Sequence, residues 1–483
     1  MVLEYGDYAI AVDCGLMFPE MYMLGVDLVI PDLTYLQRLG ERFLGFVITH
    51  GHEDHLGALP YVLRDLRVPV YATPMAAGLL TEKLREHNLS DTPLHVIRPR
   101  KPWQIGPFSI EPVHMTQILL LSDSTNAERE GYTPSERAVR GDLDRVFRNT
   151  SGKIFFSTFS SHVHRLTQVI ELSQLYGRRI AVVGRSMTNS IKIGTQLGYL
   201  EYPPSIFADI GEVNQLDPNK VTLLITGSQG EPLSALIRIA EGGHGQLEMV
   251  PDDAVILSSR IIPGNEKSIS NMINHITRRG ATTYHTHNSD VHVSGHASQE
   301  ELKIVLRLVR PKYFVPVHGE YRHLAKHRSL AHDVGMSPDS TFLLENGQVL
   351  EIDEDGAHRE ETAQAGRVFV DGKGIGDVEA VVLRDRRHLS SDGLVLAVLA
   401  IDQQSGELIS GPDLISRGFV LEGASQEYLD RAKGVVIETL QQISPESRAD
   451  TMEVKEEVRK ALKRFFAKTL ERRPVIVPFV MEM

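Results

Sequence analysis

The chain has 483 residues, 42% of them hydrophobic, and a formal net charge of −12. This length and apolar content suffice for two or three domains with cores of their own, which argues against a disordered chain. No apolar run reaches the roughly 18 to 20 residues of a membrane span, and the N-terminus lacks the basic and then apolar order of a signal peptide. We therefore expect a cytoplasmic protein with no membrane partner.

Cysteine content and charge narrow the possible chemistry. Cys14 is the only cysteine, so an intrachain disulfide and a multi-cysteine zinc site are both excluded. We expect Cys14 to be a small buried side chain, and any metal must be held by histidine and carboxylate groups. The negative net charge argues on average against RNA as a partner, but local arginines and bound cations can still bind phosphates.

The first third of the chain has an α/β pattern. Short runs rich in β-branched residues alternate with stretches of helical periodicity. The predicted strands are 8–15, 43–50, 68–72 and 108–115, and the predicted helices are 59–66 and 75–87.

From about residue 138 the chain alternates helices and strands in the rhythm of a parallel sheet. The predicted helices are 137–149, 162–177 and 186–200, and the predicted strands are 153–159, 179–184, 220–227 and 253–259. Beyond residue 298, helix 299–309 and strand 312–319 resemble the first part again. The tail is predicted to contain strands 378–383 and 393–402 and helices 426–443 and 451–473.

Four residues that can bind metals follow directly on one strand. After the apolar stretch GFVIT the sequence reads H-x-H-x-D-H, with His50, His52, Asp54 and His55. Residues two apart at a strand end can converge on one ion, and the following turn can carry the last two toward a second. Imidazole and carboxylate suit zinc or manganese, and two ions can clamp the attacking and leaving oxygens of a phosphodiester. The pattern favours a catalytic metal centre over a solvated polar turn.

An ordered set of further motifs carries a family resemblance. THGHEDH resembles the signature of the metallo-β-lactamase fold, and it is followed by SDST at 122–125, FSTFSSHVHR at 156–165, TGSQGEP at 226–232, HVSGHAS at 292–298 and PVHGE at 316–320. Together these stretches resemble the β-CASP nucleases and, among them, the ribonuclease J family, over essentially the whole chain. The resemblance implies an α/β protein: an αββα metallo-β-lactamase sandwich with an inserted α/β β-CASP domain and a small α/β C-terminal domain.

The resemblance also implies domain boundaries. The metallo-β-lactamase domain would comprise residues 1–137 and 298–368, and the β-CASP domain residues 138–297. A linker at 369–378 would lead to the C-terminal domain at 379–483.

The family's metal ligands map onto five residues of this chain. His50 and His52 would bind a first ion, and Asp54, His55 and His318 a second. Both ions would be zinc, with manganese as the alternative metal. Asp54 would also count among the catalytic residues.

The remaining implied roles concern the substrate. Asp123 would orient a ligand histidine, and His296 would act at the scissile phosphate as proton donor or charge stabiliser. Residues that would bind RNA phosphates are Ser160, Ser161, His162, His292, Val293, Ser294, Gly295 and His296.

Alternative interpretations remain open for several of these residues. The stretch from His292 is equally typical of a turn before a helix capped by Ser298, and TGSQGEP is typical of a plain strand-to-helix turn. His162 and His164 could be surface residues at a helix start. His285 and His287 are typical of a solvated loop.

The chain departs from the family pattern at two places. A histidine and a bridging aspartate are expected after EPVHMT, but here Gln117 follows and then ILLLSDST, so that a few dozen residues of the family are absent. A neutral amide is a poor zinc ligand, and His114 would point to the opposite face of a strand from Gln117. A glycine-rich strand and turn that precede the first motif in the family are also missing, and occupancy of both metal positions is in doubt.

The resemblance predicts a metal-dependent ribonuclease. An activated hydroxide would attack RNA from its 5′ end, preferably a 5′-monophosphate end, with some internal cleavage, in a homodimer or homotetramer. The alternative is a catalytically impaired RNA-binding subunit, because two ligands are absent. A small-molecule hydrolase of the same superfamily would not explain SDST, HVSGHAS or the inserted domain.

Overall fold

The structure, a computed structural model, divides into two compact units. One comprises residues 1–17 and 30–367, and the other residues 18–29 and 368–483. The helices of the described residues include none long and apolar enough to cross a bilayer. The residues that the structure describes are 1–20, 22–98, 101–111, 118–231, 234–262, 264–376, 378–402, 405–419, 426–448 and 450–483.

A mixed sheet underlies the start of the first unit. The elements up to residue 123 are β1 (Val2–Tyr5), β2 (Tyr8–Val12), β3 (Leu28–Pro31), α1 (Thr34–Leu39), β4 (Phe43–Ile48), α2 (Glu53–Leu56), α3 (Leu59–Val62), β5 (Val70–Ala72), α4 (Pro74–Glu86), β6 (Leu94–Val96), β7 (Trp103–Ile105), β8 (Phe108–Ile110) and β9 (Leu119–Asp123). The sheet has the order β1-β2-β4-β5-β6, in which only β1 is antiparallel to its neighbour. Strand β4 is buried from Gly45 to Ile48, as expected of a central strand covered on both faces.

A wholly parallel five-stranded sheet follows. Its elements are α5 (Val139–Asn149), β10 (Ile154–Ser157), α6 (Val163–Leu175), β11 (Arg179–Val183), α7 (Arg185–Gln196), α8 (Ile210–Val213), β12 (Val221–Ile225), α9 (Ala235–Glu241), β13 (Ala254–Leu257), α10 (Glu266–Arg278) and β14 (Thr282–Tyr284). The strand order is β11-β12-β10-β13-β14. Residues of these strands belong to two apolar clusters, one shared with helices α5 to α7 and the other with helices α8 to α10. From β10 the chain continues to β11 on one side of the sheet, whereas from the adjacent β13 it continues to β14 on the other side. A crevice at the carboxyl ends of two such strands is a common ligand site.

The rest of the first unit contains a strand that ends beside Asp123. Its elements are α11 (Gln299–Val309), β15 (Tyr313–Val317), α12 (Tyr321–Asp333), β16 (Val349–Ile352) and β17 (Ala357–Glu360). Strand β15 pairs in parallel with β9, with Val317 opposite Asp123, so His318 directly follows a strand that ends beside Asp123. A capping box of Ser298 and Glu301 begins α11.

The second unit contains two small sheets. Its elements are β18 (Arg367–Asp371), β19 (Gly374–Ile375), α13 (Ala380–Asp392), β20 (Leu394–Ile401), β21 (Leu408–Arg417), α14 (Gln426–Gln442), α15 (Pro445–Arg448), α16 (Thr451–Leu470) and β22 (Val475–Glu482). One sheet has the order β19-β18-β3, and the other β21-β20-β22. Helices α14 and α16 cover the second sheet around a shared apolar core.

The predicted strand at 378–383 is wrong, because most of it forms the first turn of α13. Leu383 is buried in a cluster with Val378 and with apolar residues of 18–29, whereas Val381 is 54% exposed. A short apolar run does not by itself distinguish a strand from a helix. The other predicted elements are present, with 59–66 shortened to one turn and with a strand at Phe108–Ile110 in the stretch 108–115, of which 112–115 lie outside the described residues. Helices and parallel sheets together confirm the predicted α/β class.

Candidate metal centre and phosphate site

The turn after β4 carries the first four predicted ligands. The strand ends at Ile48, which is fully buried, and His50 and His52 follow at the edge of the sheet. Asp54 and His55 lie in the single turn of α2. The buried strand thus fixes the backbone from which all four side chains project.

Asp13 orients this turn, and the sequence analysis did not single it out. Strand β2 is the parallel neighbour of β4, so the two carboxyl ends meet. The Nδ1 atom of His55 donates to Asp13 Oδ2 at 2.8 Å, and both the backbone N and the Oγ1 of Thr49 donate to the same carboxylate. Burial would raise the pKa of Asp13, but the hydrogen bonds from His55 and Thr49 outweigh it and lower the pKa. The feature of the sequence that could have identified Asp13 is its position as an acidic residue near the end of a predicted strand.

His318 lies between two carboxylates. Its Nδ1 is 2.9 Å from Asp123 Oδ1, and its Nε2 is 3.3 Å from Asp54 Oδ2. The hydrogen bonds to Asp123 and Asp54 raise the pKa of His318 to about 10. Burial alone would raise the pKa of Asp54, but His318 and the charge of His55 hold it well below its usual range. The backbone of His318 is left-handed, with φ of 55°, so its position is set by the fold and not by local preference.

Asp54, His55 and His318 form a group whose ligand atoms all lie within 4.8 Å of one another. The two imidazoles share one arrangement, because each Nδ1 is fixed by a carboxylate while Nε2 faces Asp54. This arrangement selects the tautomer that binds metal through Nε2. Zinc or manganese fits the donor set of two imidazoles and one carboxylate, with open positions left for water and substrate.

His50 and His52 contact each other, and the ring of His50 also packs against that of His55. His50 Nε2 lies 3.1 Å from His52 Nδ1, and the rings of His50 and His55 are 3.9 Å apart. Burial and the neighbouring imidazoles lower the pKa of His50 to about 4. Of the residues that the structure describes, no third potential ligand joins these two in a metal-binding group. The predictions made for His114 and Gln117 lie outside the described residues.

Asp123 connects the metal group to His296. Its Oδ2 accepts a hydrogen bond from His296 Nδ1 at 2.8 Å, and Asp123, His296 and His318 form a second group with ligand atoms within 4.8 Å. Burial would raise the pKa of Asp123, but the two histidines and Thr125 hold it far below its usual range. The rings of His296 and His318 stack with centroids 5.7 Å apart. Both imidazoles are therefore oriented by one carboxylate.

The predicted phosphate-binding residues line the carboxyl edge of the parallel sheet. Ser160, Ser161 and His162 form the turn between β10 and α6, and His292 follows β14. The rings of His162 and His292 are 6.5 Å apart. Beyond His292, Val293 is half-buried, Ser294 is buried and Gly295 is exposed.

Arg165 supplies positive charge beneath this edge and was missed by the sequence analysis. It is fully buried, pairs with Glu136 and donates from Nη1 to the backbone oxygen of Val291 at 2.7 Å. Burial and the charge of Arg165 lower the pKa of His292 to about 3. In the described part of the chain, His292 Nδ1 is buried with no hydrogen-bond partner. A buried polar atom without a partner in the protein calls for an explanation, and a bound ligand is one.

Three other residues considered in the sequence analysis lie outside the metal groups. Gln229 in TGSQGEP is buried, and its Nε2 donates to Ser259 Oγ and to the backbone oxygen of Arg260. Cys14 is buried, and burial raises the pKa of its thiol to about 12. His287 is exposed, in a loop that holds no group of three ligands among the described residues.

Four family models match the chain. Metallo-beta-lactamase superfamily matches residues 1–133, and Ribonuclease J, beta-CASP domain matches residues 151–276. Zn-dependent metallo-hydrolase RNA specificity domain matches residues 285–339, and Ribonuclease J C-terminal domain matches residues 381–483. These matches confirm the predicted architecture of a metallo-β-lactamase domain with an inserted β-CASP domain and a C-terminal domain.

Curated relatives match over nearly their whole length. Ribonuclease J 1 of Streptococcus pyogenes is 37% identical over 527 residues, covering 99% of this chain and 94% of the relative. Ribonuclease J2 of Bacillus subtilis is 35% identical over 532 residues, covering 100% and 96%, and Ribonuclease J of Thermus thermophilus is 35% identical over 537 residues, covering 100% and 92%. Each alignment is longer than this chain, so this chain must have gaps in each of them. Such gaps are expected where a segment of the family is absent from the chain. The chain belongs to the ribonuclease J family.

Proposed function

We propose that this protein is a metal-dependent ribonuclease that hydrolyses phosphodiester bonds of RNA. The observation that carries the proposal is the continuous network from His55 through Asp54, His318 and Asp123 to His296. It joins the three-ligand metal group to His296, which belongs to the stretch 292–296 that is predicted to bind phosphate and is called the phosphate loop. The names and full-length similarity of the relatives support the same activity.

Asp54, His55 and His318 would hold one ion, and His50 and His52 would contribute to a second. A bound zinc or manganese ion supplies a Lewis acid that lowers the pKa of water and polarises a phosphoryl oxygen. Asp13 and Asp123 keep the two ligand imidazoles in the metal-binding tautomer.

His296 would donate a proton to the leaving oxygen. Since Asp123 accepts from its Nδ1, the Nε2 atom is the one directed away from the carboxylate and toward substrate. A hydrogen bond of this kind fixes the ring, so the proton is presented from one position and not from a rotating side chain. The contact with Asp123, at 2.8 Å, would keep the ring in place during the transfer.

RNA phosphates would bind at the carboxyl edge of the parallel sheet, although the whole chain carries a net charge of −12. The charges of Arg165 and Arg260 both act on His292, so cationic side chains lie close to this edge. The amides of 293–295 and the side chains of Ser160, Ser161 and His162 would receive phosphate oxygens, including a 5′-terminal phosphate.

The finer properties of the proposed enzyme follow the family resemblance. We propose removal of nucleotides from a 5′-monophosphorylated end with some internal cleavage, two ions per chain, a homodimer or homotetramer, and a cytoplasmic location. Residues 1–137 and 298–368 would form the metallo-β-lactamase domain, and residues 138–297 and 379–483 the β-CASP and C-terminal domains.

Metal analysis and RNA decay test the proposal together. We would measure zinc and manganese per chain and the decay of 5′-monophosphorylated RNA for the unmutated protein, His52→Ala and Asp54→Ala. His287→Ala is the matched control, since this histidine is exposed outside the metal groups of the described residues. We expect the first two variants to lose metal and activity and the control to keep both. An unmutated protein that binds RNA but degrades it no faster than Asp54→Ala would instead be the impaired RNA-binding subunit.

A further inference from the structure

Asn126 is a buried amide whose side-chain nitrogen and oxygen both have hydrogen-bond partners. It is 2% exposed and lies in the turn that follows β9. Its Nδ2 donates to Ser294 Oγ at 3.0 Å and to the backbone oxygen of His296 at 2.9 Å. Its Oδ1 accepts from Arg260 Nη1 at 2.6 Å. A buried amide satisfied on both sides holds its partners rigidly, because breaking any one contact leaves a polar group unpaired.

The two contacts to the loop hold the backbone of His296 from both sides. Ser294 Oγ, which accepts from Asn126, also accepts from the backbone N of His296 at 3.2 Å. The backbone oxygen of His296 receives a second hydrogen bond, from Thr133 Oγ1 at 2.8 Å. The peptide groups before and after this histidine are therefore both fixed.

Asn126 and Asp123 contact different parts of His296. Asp123 is the last residue of β9, and Asn126 lies in the turn directly after it, which is closed by the hydrogen bond from the backbone N of Ala127 to the backbone oxygen of Ser124. Asp123 holds the imidazole of His296, and Asn126 holds its main chain. Proton transfer needs both, since an imidazole that is correctly rotated on a displaced backbone still misses the leaving oxygen.

The third partner links the loop to the parallel sheet. Arg260 is exposed and follows β13, and Gln229 donates from Nε2 to its backbone oxygen at 2.8 Å. The carboxamide of Asn126 thus links the phosphate loop to the guanidinium group of Arg260 at the carboxyl edge of the sheet.

We propose that Asn126 is a positioning residue of the ribonuclease reaction, which sets the place of His296 relative to the scissile phosphate by fixing the main chain of residues 294–296. The inference rests on the proposed function of His296 as proton donor. Asn126 itself touches neither metal nor substrate in this scheme. Its removal is expected to lower kcat by about 10- to 100-fold, the usual effect of displacing a catalytic group by about 1 Å.

The kinetic test is a double-mutant cycle with His296. We would compare Asn126→Ala, His296→Ala and the double variant in single-turnover decay of 5′-monophosphorylated RNA. If Asn126 acts through His296, the double variant is no slower than His296→Ala alone. A purely structural role would slow the double variant further, and that additive result would overturn the proposal, as would an Asn126→Ala enzyme within about twofold of the unmutated rate.

A second measurement does not require activity. In protein labelled with ¹⁵N-histidine, the His296 signal is assigned by its loss in His296→Ala, and we expect it to shift in Asn126→Ala. The exposed Asn149→Ala is the matched control and should leave the signal in place. An unshifted His296 signal in folded Asn126→Ala would overturn the inference. A shifted signal in a protein that degrades no RNA would leave the positioning intact and reject the proposed function.

If Asn126→Ala does not fold, Thr133→Val replaces it, because it removes the other donor to the same carbonyl oxygen. It is expected to shift the His296 signal and to lower kcat in the same direction. An unchanged signal and rate in that variant would count against the proposal in the same way.

Discussion

Replacing Asp123 by asparagine tests the junction between the metal group and His296. The carboxylate accepts from both His318 Nδ1 and His296 Nδ1. An amide offers one acceptor oxygen and one NH₂ group, so one imidazole N–H would face another donor. One charge-assisted hydrogen bond is lost and one repulsive contact is created.

The structure sets the size of the effect. A hydrogen bond to a charged group contributes about 1.5–3 kcal/mol. Because the side chains of Asp123 and His318 are each 36% exposed, solvent screening favours the lower end, about 1.5 kcal/mol or roughly tenfold in an equilibrium constant. We expect Asp123→Asn to bind zinc about tenfold more weakly and to degrade RNA about 10- to 100-fold more slowly.

The assay combines zinc competition against a chromophoric chelator with RNA decay at saturating metal. Asp32→Asn is a matched control, since Asp32 accepts from the N and Oγ1 of Thr34 as Asp123 accepts from Thr125. The other oxygen of Asp32 accepts from Gln364 and not from an imidazole. Equal losses in Asp32→Asn and Asp123→Asn, or an Asp123→Asn protein within twofold of the unmutated one in both assays, would refute the reasoning.

Three further outcomes follow from packing and burial. A methyl group on Gly15 would lie 1.7 Å from the backbone oxygen of Asp54, so Gly15→Ala should lower both Tm and zinc affinity; unchanged affinity would contradict this placement of Asp54. Gly141 lies in α5 with no atom within 4 Å of such a methyl group, so Gly141→Ala should raise the free energy of unfolding by about 0.5–1 kcal/mol in urea melts. Burial lowers the pKa of His327 to about 4, below the unfolded value near 6.5, so stability should fall as pH decreases through this window by up to roughly 3 kcal/mol. His327→Gln should flatten that slope in melts at pH 4 to 7, and an unchanged slope would contradict the assignment.

The metal motif was predictable because its ligands are close in sequence and follow a recognisable strand. His318 was predictable only through the family resemblance and its place at the end of an apolar strand, since nothing local connects it with Asp54. The parallel pairing of β9 and β15 places His318 beside Asp123. Candidate phosphate residues were found in the same way, from motifs that recur in order.

The supporting residues were not predictable from a single sequence. Asp13 and Asn126 act through partners supplied by other strands, and an aspartate or asparagine after a strand is common for turns alone. Arg165 looked like part of an amphipathic helix, yet it is fully buried against Glu136. The helix at Ala380–Asp392 was missed because its apolar run is β-branched, while its packing partners lie more than 350 positions earlier.

The parallel pairing of β9 with β15 has a consequence for the order of folding. Asp123 and His318 are 195 positions apart, so their contact must close a long loop. Asp142, at the start of the parallel sheet's segment, accepts hydrogen bonds from Ser289 Oγ and from the backbone N of Asp290, 147 and 148 positions later.

Once that inner segment has folded, the open chain between Asp123 and His318 is about a quarter as long. Each halving of a loop saves about 0.6 kcal/mol of closure entropy, so prior folding of the insertion lowers the entropic barrier by about 1.2 kcal/mol. During synthesis the inserted sheet can be complete before His318 has been made. The last ligand would then arrive at a scaffold already folded to receive it.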